Sequence, residues 1–238
     1  MKLALHQPYL FPYLGYFAVI NASDIYVHSD TMQYMRHGWV NRNRILSGDG
    51  SWKYFIVPIK KGSYTNKINE TLIDYSQKWE DKIMAQLGFY KKKAPYYEQV
   101  ISMLELLFQR KYDSISELNI QSTKLVMDYL NINKEVHKLS EMDIDVSTVK
   151  EPDDWGVVVS KSFKDVDCYI NAPGGKDFYN TTKYVKENIE IRFLQTKLTE
   201  YKQGWNKHFV AGLSILDIMM FNSVDQINNM LRNYTYLQ

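Results

Sequence analysis

The opening segment constrains the fold more than any other part of the chain. Leu3-Ala4-Leu5-His6 is a short run that reads as a buried strand. Pro8 and Pro12 follow and prevent a regular helix between them. From Tyr13 to Asn21 the apolar residues Leu14, Phe17, Ala18 and Ile20 favour a short helix. Ile25 to His28 then reads as a second buried strand. Strand, proline-rich turn, helix and strand make a βαβ-like unit. His6 and Gln7 thereby fall at the carboxyl end of the first strand, the edge where open α/β sheets gather their ligands.

The rest of the chain continues the alternation. Trp52 to Lys60 is strongly strand-like, and Pro58 inside it marks a strand end or an edge. Ile68 to Ile73 is expected to pair back as a short strand, and Gln77 to Gln86 to be helical. Residues 95–110 and 114–131 read as two consecutive helices. Pro95 suits a first helical turn, and Ser114 with Glu117 three residues on suits a capping box. Strands are expected at Glu135–Leu139, Asp167–Ile170 and Ile189–Leu194. Helices are expected at Pro152–Phe163, Tyr179–Glu187, Ser214–Phe221 and Val224–Leu231. The pattern predicts an α/β fold, a mixed or mainly parallel sheet with flanking helices and a helical middle segment. Connections are short and no repeat is visible. The expectation is a single domain over residues 1–238, with a mainly helical insertion or lid at about 95–131.

Composition narrows the function classes. The chain has 238 residues, 45% hydrophobic and 24% charged, enough to bury a core without disulfides or a structural metal. A single cysteine, Cys168, excludes an internal disulfide and a cysteine-rich zinc site. The five histidines have no close paired spacing, so no metal site is expected. A formal net charge of +2 gives no electrostatic case for nucleic acid or an anionic membrane. No apolar run approaches the ~20 residues of a membrane span, and the opening apolar run is too short for a signal peptide. A cytoplasmic protein is expected, with no nucleic-acid partner. The 19 tyrosines fit either a tyrosine-rich core or a pocket with aromatic walls for a sugar or nucleotide.

Four constellations carry candidate chemistry. His6-Gln7-Pro8 offers a general base and an amide for a carbonyl or hydroxyl, or else a histidine buried against a backbone carbonyl. Asp30 and Gln33 lie just after the second strand. Asn41-Arg42-Asn43-Arg44 follows, where an arginine suits a phosphate or carboxylate and the alternative is a polar turn and a solvated strand. Ala172-Pro173-Gly174-Gly175-Lys176 reads as a tight turn, the alternative being a phosphate cradle of backbone N–H groups. Last come Tyr201, Gln203 and His208, leading to Ser214 and Asp217. This pair suits a helix N-terminus, and the alternative is that Asp217 pairs with His6 and tunes its basicity. Cys168 sits in an apolar run and reads as a core residue.

Several of these stretches resemble the WbqC-like proteins of bacterial surface-polysaccharide gene clusters. The resemblance rests on Ala4-Leu-His6-Gln7-Pro8-Tyr9-Leu10-Phe-Pro12-Tyr-Leu-Gly15-Tyr16-Phe17, on Asp24 to Asp30 with Gln33, and on Asn41-Arg42-Asn43-Arg44-Ile45. It continues through Trp52, Val57-Pro58, Ala94-Pro95-Tyr96, Lys176-Asp177-Phe178-Tyr179 and Phe209 to Asp217, nearly the whole chain. After Asp217 this chain ends its helix Met220-Phe221-Asn222-Ser223, where the family more often runs through a Leu-rich segment to Asn and Gly. The resemblance implies a role in O-antigen or related glycan synthesis. The reaction expected from it is transfer of an acyl or aminoacyl group to the amine of a nucleotide-linked amino sugar. In that scheme His6 is the base, and Asp30 and Asp217 orient it or bind the sugar. Gln7 and Asn43 contact the carbonyl or oxyanion, and Arg42 and Arg44 hold the diphosphate. Tyr9, Gln33, Asn41, Tyr201 and Gln203 complete the substrate contacts. No tightly bound cofactor is expected. The acyl donor is a thioester on an acyl carrier protein or on coenzyme A. The alternatives are a non-catalytic binding or scaffold protein of the glycan assembly machinery, and a glycosyl or nucleotidyl transferase.

Overall fold

The structure is a computed structural model, and it describes residues 1–62, 66–204 and 208–237. Its centre is a sheet of strands β1 (Lys2–His6), β2 (Ile25–His28), β5 (Glu135–Lys138), β6 (Cys168–Asn171), β7 (Glu190–Thr196) and β8 (Tyr234–Leu237). Their order is β5-β2-β1-β6-β7-β8. All neighbours are parallel except β7 and β8, which run antiparallel. The expected α/β architecture with a mainly parallel sheet is therefore present. The βαβ unit at the start is also as expected, with helix α1 (Leu14–Ala22) joining β1 to β2.

Both faces of the sheet are covered, as parallel sheets require. Alternate residues of each strand divide between them. Ala4, Tyr26, Ile170 and Leu194 face one core, shared with α1. Leu3, Leu5, Ile25, Val27 and Tyr169 face the other, under α5 (Asp154–Lys161) and α6 (Thr181–Lys186). The first seven residues of α1 are all buried, because the helix is apolar all round and is sandwiched between the sheet and α8 (Val224–Arg232).

The middle helices α3 (Tyr97–Phe108) and α4 (Ile115–Tyr129) pack into the same core as α1. The cap of α4 is half a capping box. Ser114 Oγ accepts from the Glu117 N–H, but Glu117 reaches back to the Asp113 N–H instead of that of Ser114. Helix α2 (Trp79–Leu87) precedes them, and α7 (Ile215–Phe221) lies against α3.

Two local expectations are corrected, and one alternative is selected. Ile68–Ile73 is not a strand; Ile68–Glu70 forms a single 3-10 turn, and Leu72 and Ile73 make isolated bridges to Ser114 and Ile59. For Asn41–Arg44 the strand alternative is the one formed. Arg42–Leu46 is strand β3, paired antiparallel with β4 (Trp52–Ile56) as a separate hairpin. The chain also ends its described part in a strand, β8, that the two expected closing helices did not include. Among the described residues, no helix is long and apolar enough to cross a membrane.

Candidate functional site

The strand order gives the sheet a switch point. From β1 the chain moves outward to β2 and then β5 on one side, whereas β6, β7 and β8 build outward on the other. The connections leaving the carboxyl ends of β1 and β6 thus diverge and open a crevice between them. A cavity of about 850 Å³ lies there. Leu5, His6 and Gln7 contribute its β1 wall and Asn171 its β6 wall. The segment from Met32 to Arg36 and the segment from Val149 to Pro152 with Trp155 close the sides, and Tyr9 and Tyr179 supply aromatic groups, Tyr179 backed by the buried Tyr169.

His6 is the chemical centre of this cleft. Its Nε2 is buried and has no hydrogen-bond partner. Its ring meets the edge of Tyr16 at 5.6 Å between centroids. Desolvation in that apolar setting pulls its pKa down to about 4, so the imidazole is neutral near pH 7. The neighbouring Gln7 carbonyl accepts from the Tyr16 hydroxyl at 3.1 Å, which leaves the Gln7 side chain to line the cleft.

The loop after His6 is held by residues far away in sequence. Phe11 is buried with φ of 41°, a left-handed conformation that costs a large side chain energy. Its carbonyl accepts from Asn43 Nδ2 at 2.8 Å and Ser214 Oγ at 2.7 Å. Asn43 also donates to the Leu10 carbonyl at 3.0 Å. Asn119 of α4 donates to the carbonyls of Pro8 at 2.9 Å and Val40 at 2.7 Å. Three distant segments therefore converge to fix the backbone that carries His6, Gln7 and Tyr9.

Several expected site residues are committed elsewhere. Asp30 accepts both the N–H and the hydroxyl of Ser140, at 3.0 and 2.6 Å, and so ties the end of β2 to the turn after β5. The expected Asp217–His6 pair is not formed. Asp217 accepts from the Tyr90 hydroxyl at 2.7 Å, the Tyr201 hydroxyl at 2.6 Å and Gln203 Nε2 at 3.0 Å. Burial raises its pKa, and those three donors oppose the rise. Asn41 bridges the Tyr34 hydroxyl and the Val57 carbonyl. Arg42 donates to the Gly38 and His37 carbonyls and stacks on Tyr54. Arg44 donates to the Gly212 carbonyl and lies between Trp39 and Trp52, 5.2 and 5.1 Å from their centroids. Neither Arg42 nor Arg44 lines the cleft; Arg44 opens instead on a smaller cavity of about 250 Å³ that shares Tyr9 as a wall.

Of the expected set, the cleft brings together His6, Gln7, Tyr9 and Gln33. It adds residues that sequence reasoning passed over. Asn171 ends β6, and the turn Pro173–Gly175 behind it must approach closely, since a Cβ on Gly175 would stand 2.6 Å from Asn171 Nδ2. The Pro-Gly-Gly sequence is thus a tight turn beside the cleft. Arg36 and Lys150 are the cationic side chains of the walls, with Glu151 beside them. An amide at the end of an apolar strand was the available signal for Asn171; Arg36 and Lys150 had none. Among the described residues no group of His, Cys, Asp and Glu converges as a metal set.

Residues 7–229 match the family model of the WbqC-like protein family. The chain is 26% identical over 221 residues to the uncharacterized protein Rv1507c of Mycobacterium tuberculosis, covering 92% of each chain. No solved structure matches.

Proposed function

The chain belongs to the WbqC-like protein family, and we propose that it is a cytoplasmic transferase of O-antigen or related glycan synthesis, moving an acyl or aminoacyl group onto the amine of a nucleotide-linked amino sugar. The observation that carries the reading is His6, neutral and unpartnered, at the switch-point cleft. The uncharged sugar amine attacks the carbonyl carbon of a thioester. A C–N bond forms, the C–S bond breaks, the amine proton passes to the His6 imidazole and then to the departing thiolate, and amide and thiol are the products. Gln7 and Asn171 are placed to donate to the carbonyl oxygen as it gains charge. Arg36 and Lys150 offer positive charge for a diphosphate, the role expected earlier of Arg42 and Arg44. Tyr9, Tyr179 and Trp155 offer aromatic groups to a nucleobase or sugar ring.

A second reading is a binding protein of the glycan assembly machinery. It draws on Asp30, Asn43 and Asp217, all of which hold the fold and leave His6 without an orienting carboxylate. The test is incubation of the full chain with nucleotide amino sugars and acyl thioesters, followed by mass spectrometry of the sugar. Acylated sugar whose formation falls by about a hundredfold or more in His6→Ala supports the transferase, given the usual scale of general-base catalysis. Sugar that binds and is recovered unchanged favours the binding protein. Metal-dependent turnover without a thioester identifies a glycosyl or nucleotidyl transferase.

A further inference from the structure

A second cavity, of about 580 Å³, lies between α4 and the edge strand β5. Its size falls within the range of small-molecule sites. His28, only 1% exposed, lines it, and the buried Nδ1 of that ring has no hydrogen-bond partner. An orphaned polar atom just behind a cavity wall carries a desolvation cost that a ligand group able to reach it removes. The other lining residues sort by chemistry. Ile120, Met127, Ile132, Val136 and Met142 make an apolar wall. Lys124 is paired with Asp128, and Lys138 with Glu141. Lys134 also lines the cavity, and among the described residues it has no ion pair. Partial burial lowers its pKa, the nearby carboxylate of Asp24 opposes the fall and Lys2 adds to it.

This cavity lies beside the proposed transfer site. His28 and His6 are register partners on adjacent parallel strands, about 4.8 Å apart in the pairing direction. Both side chains project from the same face of the sheet, one lining this cavity and the other the cleft. A ligand here needs an anionic head for Lys134, an apolar arm for the Ile120–Met127 wall, and a polar group at its inner end for His28. We propose that the cavity between α4 and β5 is the donor site of the transferase, taking a phosphopantetheine arm with its phosphate on Lys134 and its thioester end leading past His28 toward the cleft. This rests on the acyl-transfer reading of the cleft. The same arm occurs on coenzyme A and on an acyl carrier protein.

The experiment is binding of coenzyme A, and separately of a carrier protein with and without its phosphopantetheine arm, to the full chain and to Lys134→Glu. A nucleotide amino sugar serves as the control ligand, and His28 imidazole resonances are followed by NMR. The expected result is that the arm-bearing probe shifts the His28 resonances. Its affinity is expected to fall by about tenfold or more in Lys134→Glu, the scale of one charge-assisted contact, while nucleotide-sugar affinity is unchanged. Binding of coenzyme A identifies the free thioester as the source, and binding of the armed carrier alone identifies the protein-borne one. Failure of both probes to bind, or equal affinity in Lys134→Glu, overturns the donor site. The two readings fail separately. Acylated sugar with equal affinities keeps the transfer and removes this site, and Lys134-dependent binding without product keeps the site and removes the transfer.

Discussion

At the residue scale, the two histidines side by side in β1 and β2 make acid stability a direct readout of the site. Their unfolded value is 6.5, and in the folded chain burial holds His6 at about 4 and His28 at about 3. Lys138 and His6 add to the depression at His28. Below the unfolded value the unfolded chain binds protons that the folded chain refuses. Stability from this source is therefore full above about pH 6.5 and falls as pH drops toward the folded values. Each pH unit in that window removes up to about 1.4 kcal/mol per histidine. Denaturant midpoints measured from pH 7 to about pH 4.5 should decline, and His28→Gln should flatten the decline. A second prediction concerns Phe11. Removing both donors to its carbonyl, with Asn43→Ala and Ser214→Ala together, should cost about 2–5 kcal/mol in chemical denaturation. Nucleotide-sugar affinity should fall with it, because the loop carries the cleft residues. His6 was legible at this scale because a strand followed by proline fixes its position. Asp217 stands in the first turn of α7 behind the Ser214 cap, as its local spacing indicates, but its contact with Tyr90 was not legible, since Tyr90 comes from a 3-10 turn over a hundred residues away.

At the scale of elements, the sequence told most where periodicity was clean. Helix α4 has both its stripe and its cap written locally, and the buried strands β1, β2 and β6 are short apolar runs with turns after them. Strand β3 was legible only as one alternative, because its inward positions include Asn43, an amide that bonds backbone, so the period of two carried no hydrophobic contrast. Strand β8 carried a signal in Tyr-Thr-Tyr-Leu, residues that favour strands, but only its partner β7 makes it one. Helix α4 is bound to the site through Asn119, which serves the carbonyls of Pro8 and Val40. Asn119→Ala should lower unfolding stability by about 2–4 kcal/mol, since two carbonyls lose their buried donor. Circular dichroism melts and denaturant curves check it. A helical middle that only closed over a finished site would tolerate the change.

At the scale of the whole molecule, the cleft is a product of strand order. Its position at the carboxyl ends of β1 and β6 required knowing that β6 lies beside β1, which composition and periodicity do not encode. The β1 half of the site could be placed from sequence for that reason, and the Asn171 half could not. Ligand binding across both halves should act on the entire fold. At a hundred times its dissociation constant, a nucleotide amino sugar should stabilise the chain by about 2.7 kcal/mol, read as a rise in melting temperature. Asn171→Leu should diminish that rise while leaving the coenzyme A effect intact.

The placement of β1 between β2 and β6 also sets a timetable for synthesis. Leu3 finds Ile25 almost at once as the chain emerges, but Lys2 must wait for Cys168. Until the ribosome has delivered that later strand, one side of β1 is an open row of backbone donors and acceptors. Contacts of such long sequence separation close slowly. The nascent chain therefore carries a central strand paired on one side only through most of its translation, an edge open to wrong pairing until β6 arrives.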